Sequence, residues 1–174
     1  MYYHPSTMDA QAKRRRYERL LVQLRDLLTA TPDPIARMAT IAALVHAKMS
    51  GFSWTGFYRL VDGDLIVGPY QGLVACQVLA RDTGVCWAGI DRGETVVVPD
   101  VHAFPGHIAC DSRSRSEIVV PVQDGSGRVV AVLDVDSTRP GHFDEVDREG
   151  LEPLAAMAYP AHAIFHGRDP RKPV

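Results

Sequence analysis

The sequence contains three cysteines, Cys76, Cys86 and Cys110. Each is predicted to lie in a loop or at the start of an element, where thiols are often accessible. Accessible thiols in a positive potential ionise readily, and the thiolate is the form that attacks other atoms and forms disulfides. Cys86, at a predicted helix start, would gain such potential from unpaired backbone N–H groups. Each cysteine could equally be a small buried apolar side chain.

Three carboxylates interrupt otherwise apolar segments near the end of the chain. Glu117 begins one predicted strand, and Asp134 and Asp136 are two residues apart on the next, so they share a face. If these strands pair, Glu117 approaches both aspartates. Buried carboxylates need partners, and three together could hold an ammonium group or keep one carboxyl protonated. Asp136 could instead cap the following turn.

Two aromatic residues, Trp54 and Tyr58, are four apart on a predicted strand and therefore also share a face. Such a pair usually packs in a core. It could equally form one wall of a pocket for a small molecule.

The long loop over residues 99–116 carries two histidines, His102 and His107, close to Cys110. With Cys76 or Cys86 they could complete a tetrahedral zinc site, although no Cys-x-x-Cys pair is present. A cysteine nucleophile with a histidine base is another arrangement of these residue types. The sequence favours neither of the two.

Two amphipathic helices precede any strand. Asp9 could cap the first, whose apolar stripe has helical spacing. The second is predicted to begin near Pro34 and to end at Gly51. The two stripes consist of Tyr17, Leu20, Leu21, Leu24, Leu27 and Leu28, and of Ile35, Met38, Ala42, Val45 and Met49.

The rest of the chain alternates between strands and short helices. A hairpin is predicted over residues 53–70 with its turn at Asp62-Gly63, followed by a less regular segment over 71–82. A short helix capped by Thr83, a strand over 95–98, a second hairpin over 117–135 and a last helix from 143 follow. Hairpins imply antiparallel pairing. The prediction is an α+β fold with helices on one side of the sheet and functional loops on the other.

The composition excludes several classes of protein. The net charge is −2 and 46% of residues are hydrophobic, which fits a globular core and provides no basic surface for nucleic acid. No segment approaches the roughly 18 continuous apolar residues of a membrane span. The N-terminus lacks the pattern of a secretion signal, so a cytoplasmic location without a membrane partner is expected.

Several strings in the sequence resemble the free methionine-(R)-sulfoxide reductases, which are GAF-domain enzymes. They are WTGFY, GPYQGLVAC, GVCWAG, VPDVHAFPGHIACDS, SEIVVPV and VLDVDS, between about Trp54 and Leu151. The resemblance implies about six antiparallel strands flanked by helices, with a loop-covered ligand pocket. It predicts a GAF domain over residues 32–166, after a helical arm over 1–31 and before a polar tail over 167–174.

The resemblance also implies a reaction, the reduction of free L-methionine-(R)-sulfoxide, and a role under oxidative stress. Cys110 would attack the sulfoxide and become a sulfenic acid. Either Cys76 or Cys86 would then form a disulfide with it, and Cys76 is favoured. Thioredoxin would restore the thiols. No cofactor and no metal are expected.

The residue types themselves suggest roles for the pocket residues in this reaction. Glu117 and Asp136, with Asp134 beside them, would supply the proton and bind the substrate's ammonium group. Trp54 and Tyr58 would pack against its S-methyl side. Backbone N–H groups around Ile108, Ala109 and Cys110 would hold an oxygen of the substrate, and His102 and His107 would either lower the pKa of Cys110 or brace the loop.

Two other functions are compatible with parts of the sequence. A non-enzymatic GAF sensor would bind a small ligand or respond to redox state, but three cysteines have no role in a plain ligand sensor. A zinc-binding structural module is the second alternative. The leucine stripe of the first helix also predicts a homodimer.

Overall fold

A six-stranded antiparallel sheet forms the centre of the computed structural model, which describes residues 9–107 and 110–160. The spatial order of its strands is β3-β2-β1-β6-β5-β4. The predicted α+β fold is therefore confirmed. The elements are α1 (Ala10–Leu27), α2 (Pro34–Lys48), β1 (Trp54–Val61), β2 (Asp64–Gln71), β3 (Val78–Leu79), α3 (Gly84–Arg92), β4 (Val96–Val98), β5 (Ser116–Gln123), β6 (Val129–Ser137) and α4 (Glu145–Ala156).

One face of the sheet shares a hydrophobic core with α1, α2 and α4. Alternate residues of β1, β5 and β6, such as Phe57, Ile118 and Leu133, point into it and are fully buried. The apolar stripes of both N-terminal helices contribute as predicted, except that Leu27 and Ile35 are 46% and 42% exposed. The first helix therefore belongs to the same core as the sheet, while the proposed domain boundary at residue 31 remains a prediction.

The other face of the sheet carries the short helix α3, where only loops were expected. Val85 and Trp87 of this helix pack with Val119 and Val132 of the sheet. A Cβ on Gly89 would lie 2.8 Å from the Val119 side chain, so glycine permits this close approach. The expectation that all helices lie on one side was wrong, because the sequence of so short a helix does not specify which face it covers.

Both predicted hairpins are present. The turn between β1 and β2 places Asp62 and Gly63 at φ values of 51° and 85°, the conformation that Asp-Gly favours in a two-residue hairpin. The segment over 71–82, predicted as irregular, contains the two-residue strand β3, which pairs with β2. This strand is too short to produce a recognisable alternation.

Two helix caps that the sequence predicted are not formed. Neither Asp9 nor Thr83 makes a side-chain capping bond. The Thr83 hydroxyl instead donates a hydrogen bond to the Gly106 carbonyl at 2.7 Å, which links the start of α3 to the loop between β4 and β5. The last helix begins with a capping box formed by Asp144 and Asp147.

Among the described residues, no helix has the length and apolar composition that a membrane span requires. The predicted polar tail over 167–174 lies outside the described residues.

Candidate active site

The three central strands bring the predicted acidic residues together on the face covered by α3. Asp136 of β6 pairs with Trp54 of β1 on one side and with Glu117 of β5 on the other. Side chains directly opposite each other across a sheet lie about 5 Å apart at Cβ. Asp134, two residues earlier on β6, points to the same face. The antiparallel register thus assembles the carboxyl cluster that the strand pattern predicted.

In this carboxyl cluster, Glu117 and Asp134 are buried and Asp136 is partly buried. Burial, and then the negative charge of Asp134, raises the pKa of Glu117 well above its usual range. Burial and the charge of Asp136 do the same to the pKa of Asp134. Burial also raises the pKa of Asp136, to about 6, although a hydrogen bond from Ser114 partly offsets it. Protons are therefore retained in this pocket at pH values where exposed carboxyls are ionised.

The carboxyl cluster has no cation of its own in the part of the chain that the structure describes. Within that part, its only salt-bridge-range neighbour is His107, whose Nδ1 lies 4.0 Å from Glu117 Oε2. Asp134 Oδ1 is buried and has no hydrogen-bond partner among these residues. A ligand with an ammonium group would supply both the charge and the missing hydrogen bond.

Aromatic rings form the wall beside the carboxyl cluster. The Trp54 indole stacks on Tyr58 at 5.8 Å and on Tyr70 at 5.2 Å between ring centres. A Cβ on Gly56 would lie 2.5 Å from the indole, so the ring requires glycine between the two aromatic residues of β1. Tyr70 was not predicted from the sequence, although a glycine inside a strand is a signal of such a close approach.

The polar ends of this aromatic wall hold the segment that carries Cys76. Trp54 Nε1 donates to the Leu73 carbonyl, and the Tyr58 hydroxyl donates to the Cys76 carbonyl, each at 3.1 Å. The aromatic residues therefore shape the pocket and also fix the loop between β2 and β3.

Cys76 and Cys110 are joined by a disulfide, with their Cα atoms 5.5 Å apart. Cys110 lines the same pocket as Trp54, Glu117 and Asp134. A bond between residues 34 apart in sequence thus links the loop between β2 and β3 to the lining of the pocket that holds the carboxyl cluster. Ile108 and Ala109, whose N–H groups were predicted to bind substrate, lie outside the described residues.

Cys86 is a free thiol within α3 and is only 5% exposed. Burial, and then the charge of Asp134, raises the pKa of this thiol well above its usual range. The prediction that the helix N-terminus makes Cys86 an accessible, acidic thiol was therefore wrong. The helix buries it against the carboxyl cluster, and both the burial and the neighbouring carboxyls favour the neutral thiol.

One group of potential metal donors is present among the described residues. Donor atoms of Cys86, Glu117 and Asp134 lie within 4.8 Å of one another. Metal ligands must lose their protons, whereas burial favours the protonated form of all three groups. The arrangement is thus better suited to proton transfer. The zinc set considered from the sequence, His102, His107 and Cys110, is not brought together as such a group within the described ranges.

Of the two loop histidines, His107 lies beside the carboxyl cluster. His107 approaches Glu117, and its ring centre is 6.2 Å from that of the exposed His102. Burial and the neighbouring His102 lower the pKa of His107, so it is neutral near pH 7. His107 is therefore uncharged where it approaches Glu117, and the predicted roles of both histidines remain predictions.

The family of the chain follows from comparison with known proteins. The model of the GAF domain family matches residues 33–158. A protein from Escherichia coli named free methionine-R-sulfoxide reductase is 39% identical over 131 residues, which cover 75% of this chain and 79% of that protein. A protein of the same name from Saccharomyces cerevisiae is 39% identical over 147 residues, covering 80% of this chain and 82% of that protein.

The chain belongs to the free methionine-R-sulfoxide reductases. A solved structure of a free methionine-R-sulfoxide reductase from Neisseria meningitidis, in complex with its substrate, aligns with a TM-score of 0.78 at 40% identity. The alignment covers 90% of this chain and 92% of that one. The resemblance seen in the sequence strings is thereby confirmed, and the chain is an oxidoreductase rather than a non-enzymatic GAF sensor.

Proposed function

We propose that the chain reduces free L-methionine-(R)-sulfoxide to L-methionine and uses Cys110 as the nucleophile. One observation carries this proposal: Cys110 lines a pocket that contains both an aromatic wall and a buried carboxyl cluster without a cation of its own. Family membership supplies the reaction class, because relatives of 39% identity are named for this activity.

The pocket offers a complementary group for each part of the substrate. The ammonium group binds at Asp134 and Asp136, where it replaces the missing countercharge. The S-methyl side packs against Trp54 and Tyr58, which favours one configuration at sulfur. Backbone N–H groups around Ile108 and Ala109 hold an oxygen. A methionine residue within a protein chain has no free ammonium group, so this binding mode selects the free amino acid.

Glu117 is proposed as the acid that protonates the sulfoxide oxygen. A carboxyl with a raised pKa keeps its proton to a higher pH than an exposed carboxyl does and can donate it during the reaction. The Cys110 thiolate attacks the sulfoxide sulfur, the S–O bond breaks, and the oxygen passes to Cys110 with one proton. The products are L-methionine and a Cys110 sulfenic acid.

Cys76 is proposed to resolve this sulfenic acid. Its thiol sulfur attacks the Cys110 sulfur and releases water, which leaves the bond that joins these two residues in the structure. Cys86 is buried beside the carboxyl cluster and is proposed as a second relay thiol or as a packing residue. Thioredoxin then reduces the disulfide.

The cellular location and the oligomeric state are also proposed here. Recycling by thioredoxin fits a cytoplasmic protein that acts under oxidative stress. A homodimer is proposed from the leucine-rich first helix, on which Val22 and Leu27 stay exposed while Leu20 and Leu24 are buried. Light scattering of purified protein would measure its oligomeric state.

A coupled assay tests the proposed reaction. With thioredoxin and its reductase, the protein should reduce free methionine-(R)-sulfoxide, and it should show little activity on the free (S) epimer or on a peptide-bound sulfoxide. Cys110→Ser should abolish turnover. Full activity of Cys110→Ser, or equal activity on all three substrates, would contradict the proposal.

Mass mapping after a single turnover tests the resolving cysteine. The expected product is the Cys76–Cys110 disulfide, and Cys76→Ser should instead accumulate a sulfenic acid that a dimedone probe traps. A Cys86–Cys110 disulfide as the main product would reassign the resolving role to Cys86.

A further inference from the structure

Exposed apolar side chains are concentrated around Cys76. Leu73, Val74 and Val78 are 56%, 84% and 54% exposed, and all lie within three residues of this cysteine. We call these three residues the apolar surface. The stretch from Gln71 to Leu79 contains no charged residue, although 23% of the whole sequence is charged. Uncharged apolar patches of this kind mark interaction sites on protein surfaces.

The chemistry beside the apolar surface limits what can bind there. Cys76 is partly exposed, and its disulfide partner Cys110 lines the pocket. A disulfide is reduced by a thiolate that attacks one of its sulfurs in line with the S–S bond. The occupant must therefore present a thiol at the disulfide and an uncharged apolar surface around it.

We propose that the apolar surface docks the protein dithiol that reduces the Cys76–Cys110 disulfide, and that this partner attacks Cys76. The proposal rests on the thiol-dependent function proposed above. The partner's thiolate forms a bond with Cys76 Sγ, the Cys76–Cys110 bond breaks, and Cys110 leaves as the thiolate. The partner's second thiol then displaces Cys76, so two electrons pass to this chain and the partner becomes a disulfide.

Two structural features favour this arrangement over a partner that approaches Cys110. The strand β3, which carries Val78, forms one edge of the sheet, so the surface is not covered by a neighbouring strand among the described residues. The Trp54 and Tyr58 hydrogen bonds hold the carbonyls of Leu73 and Cys76, so the surface is presented in a fixed position. Attack on Cys76 also returns Cys110 to the pocket as the thiolate that the next turnover requires.

The test measures reduction of the oxidised protein and needs no sulfoxide. The double variant Leu73→Ser/Val78→Thr removes apolar area from the surface, while Val74 is left unchanged because it also borders the pocket. The rate constant for reduction by thioredoxin should fall about tenfold, as for interface residues that contribute to binding. Reduction by dithiothreitol, which needs no docking surface, should change less than about twofold.

Ile35→Thr is the matched control, because Ile35 is 42% exposed on α2, which packs in the core on the opposite face of the sheet. It should leave both rates unchanged. The proposal would be overturned if thioredoxin reduced the double variant at the parent's rate. It would also be overturned if the rate constants with thioredoxin and with dithiothreitol fell by the same factor.

A second measurement tests the attacked sulfur. A thioredoxin with its second active-site cysteine replaced by serine should be trapped as a mixed disulfide at Cys76, and trapping mainly at Cys110 would overturn that assignment. Failure of the reductase reaction itself would appear separately, as absence of sulfoxide turnover with dithiothreitol in the unchanged protein.

Discussion

Two groups of acidic residues lie on opposite faces of the sheet in the described part of the chain, each with at least one buried carboxyl, and they differ in what balances their charge. Between α1 and α4, Lys13 Nζ pairs with Asp147 and lies 3.0 Å from Asp144, while the Tyr17 hydroxyl donates to Asp147 at 2.8 Å. The carboxyl cluster of Glu117, Asp134 and Asp136 has no such cation among the described residues.

The pKa values of Asp144 and of the carboxyl cluster shift in opposite directions because of this difference. Burial alone would raise the pKa of Asp144, but the hydrogen bond and charge of Lys13 hold it below its ordinary value. In the carboxyl cluster, burial and mutual repulsion raise the pKa values instead. An acidic group balanced by a resident cation stabilises the fold. One left unbalanced can hold a proton and receive a cationic ligand, so the contrast separates a structural group from a functional one.

The largest expected effect is on catalysis by Glu117. Glu117→Gln keeps the shape of the side chain but removes the proton that the sulfoxide oxygen requires. We expect kcat to fall about 10²- to 10⁴-fold, the usual range for loss of a general acid. The exposed Glu149→Gln is the matched control and should retain full activity. A kcat of Glu117→Gln within threefold of the parent would show that another group donates the proton.

The next effect concerns stability on the opposite face. Lys13→Met leaves Asp147 buried and fully without its cation, which should cost about 3–5 kcal/mol in the free energy of unfolding. Urea denaturation measures this, and kcat below the transition should stay near that of the parent. Arg14→Met removes an exposed ion pair with Glu149 and should change stability little. Loss of activity without loss of stability in Lys13→Met would contradict the separation of roles.

A smaller effect is expected on substrate binding at Asp134. Asp134→Asn removes a carboxyl that the substrate's ammonium group would ionise and bind, and a hydrogen bond to a charged group is worth about 1.5–3 kcal/mol. KM should therefore rise about 10- to 100-fold, with a smaller change in kcat. An analogue that lacks the amino group should bind the parent and the variant equally well. If the variant bound this analogue more weakly than the parent does, Asp134 would not be acting through the ammonium group.

The smallest effect is a pH dependence of binding. Asp136 has a pKa of about 6, so it ionises as the pH rises through that value. Below that pH it is protonated and loses its attraction for an ammonium group. We expect KM to rise by up to about tenfold per pH unit below pH ~6. Asp136→Asn should abolish this dependence, and a KM that stays flat in the parent would contradict the assignment.

The sequence predicted the carboxyl cluster because strands alternate regularly. Two residues apart on a strand, Asp134 and Asp136 must share a face, and a hairpin between β5 and β6 brings Glu117 to them. The aromatic pair Trp54 and Tyr58 follows from the same rule. These placements depend only on local periodicity and on one turn, which is why they could be read from the chain.

Other features depend on packing between segments that are distant in sequence. The burial of Cys86 follows from α3 lying on the pocket face, and the nine residues of that helix do not reveal this. Tyr70 reaches Trp54 through the pairing of β2 with β1, over an irregular stretch of that ladder. The family resemblance, rather than periodicity, assigned the cysteine roles, since spacing alone could not choose between Cys76 and Cys86.

The disulfide also has a consequence for the energetics of the whole chain. It spans 34 residues that include β3, α3 and β4. In the chain-entropy model, closing a loop of this length stabilises the folded state by about 4 kcal/mol. Formation of the disulfide in each catalytic cycle would thus raise the free energy of unfolding, and its reduction would lower it again. A cell with little reductant would accumulate the disulfide-bonded form, which is the more stable one. The resistance of the protein to heat and proteases would then indicate how much reductant the cell has.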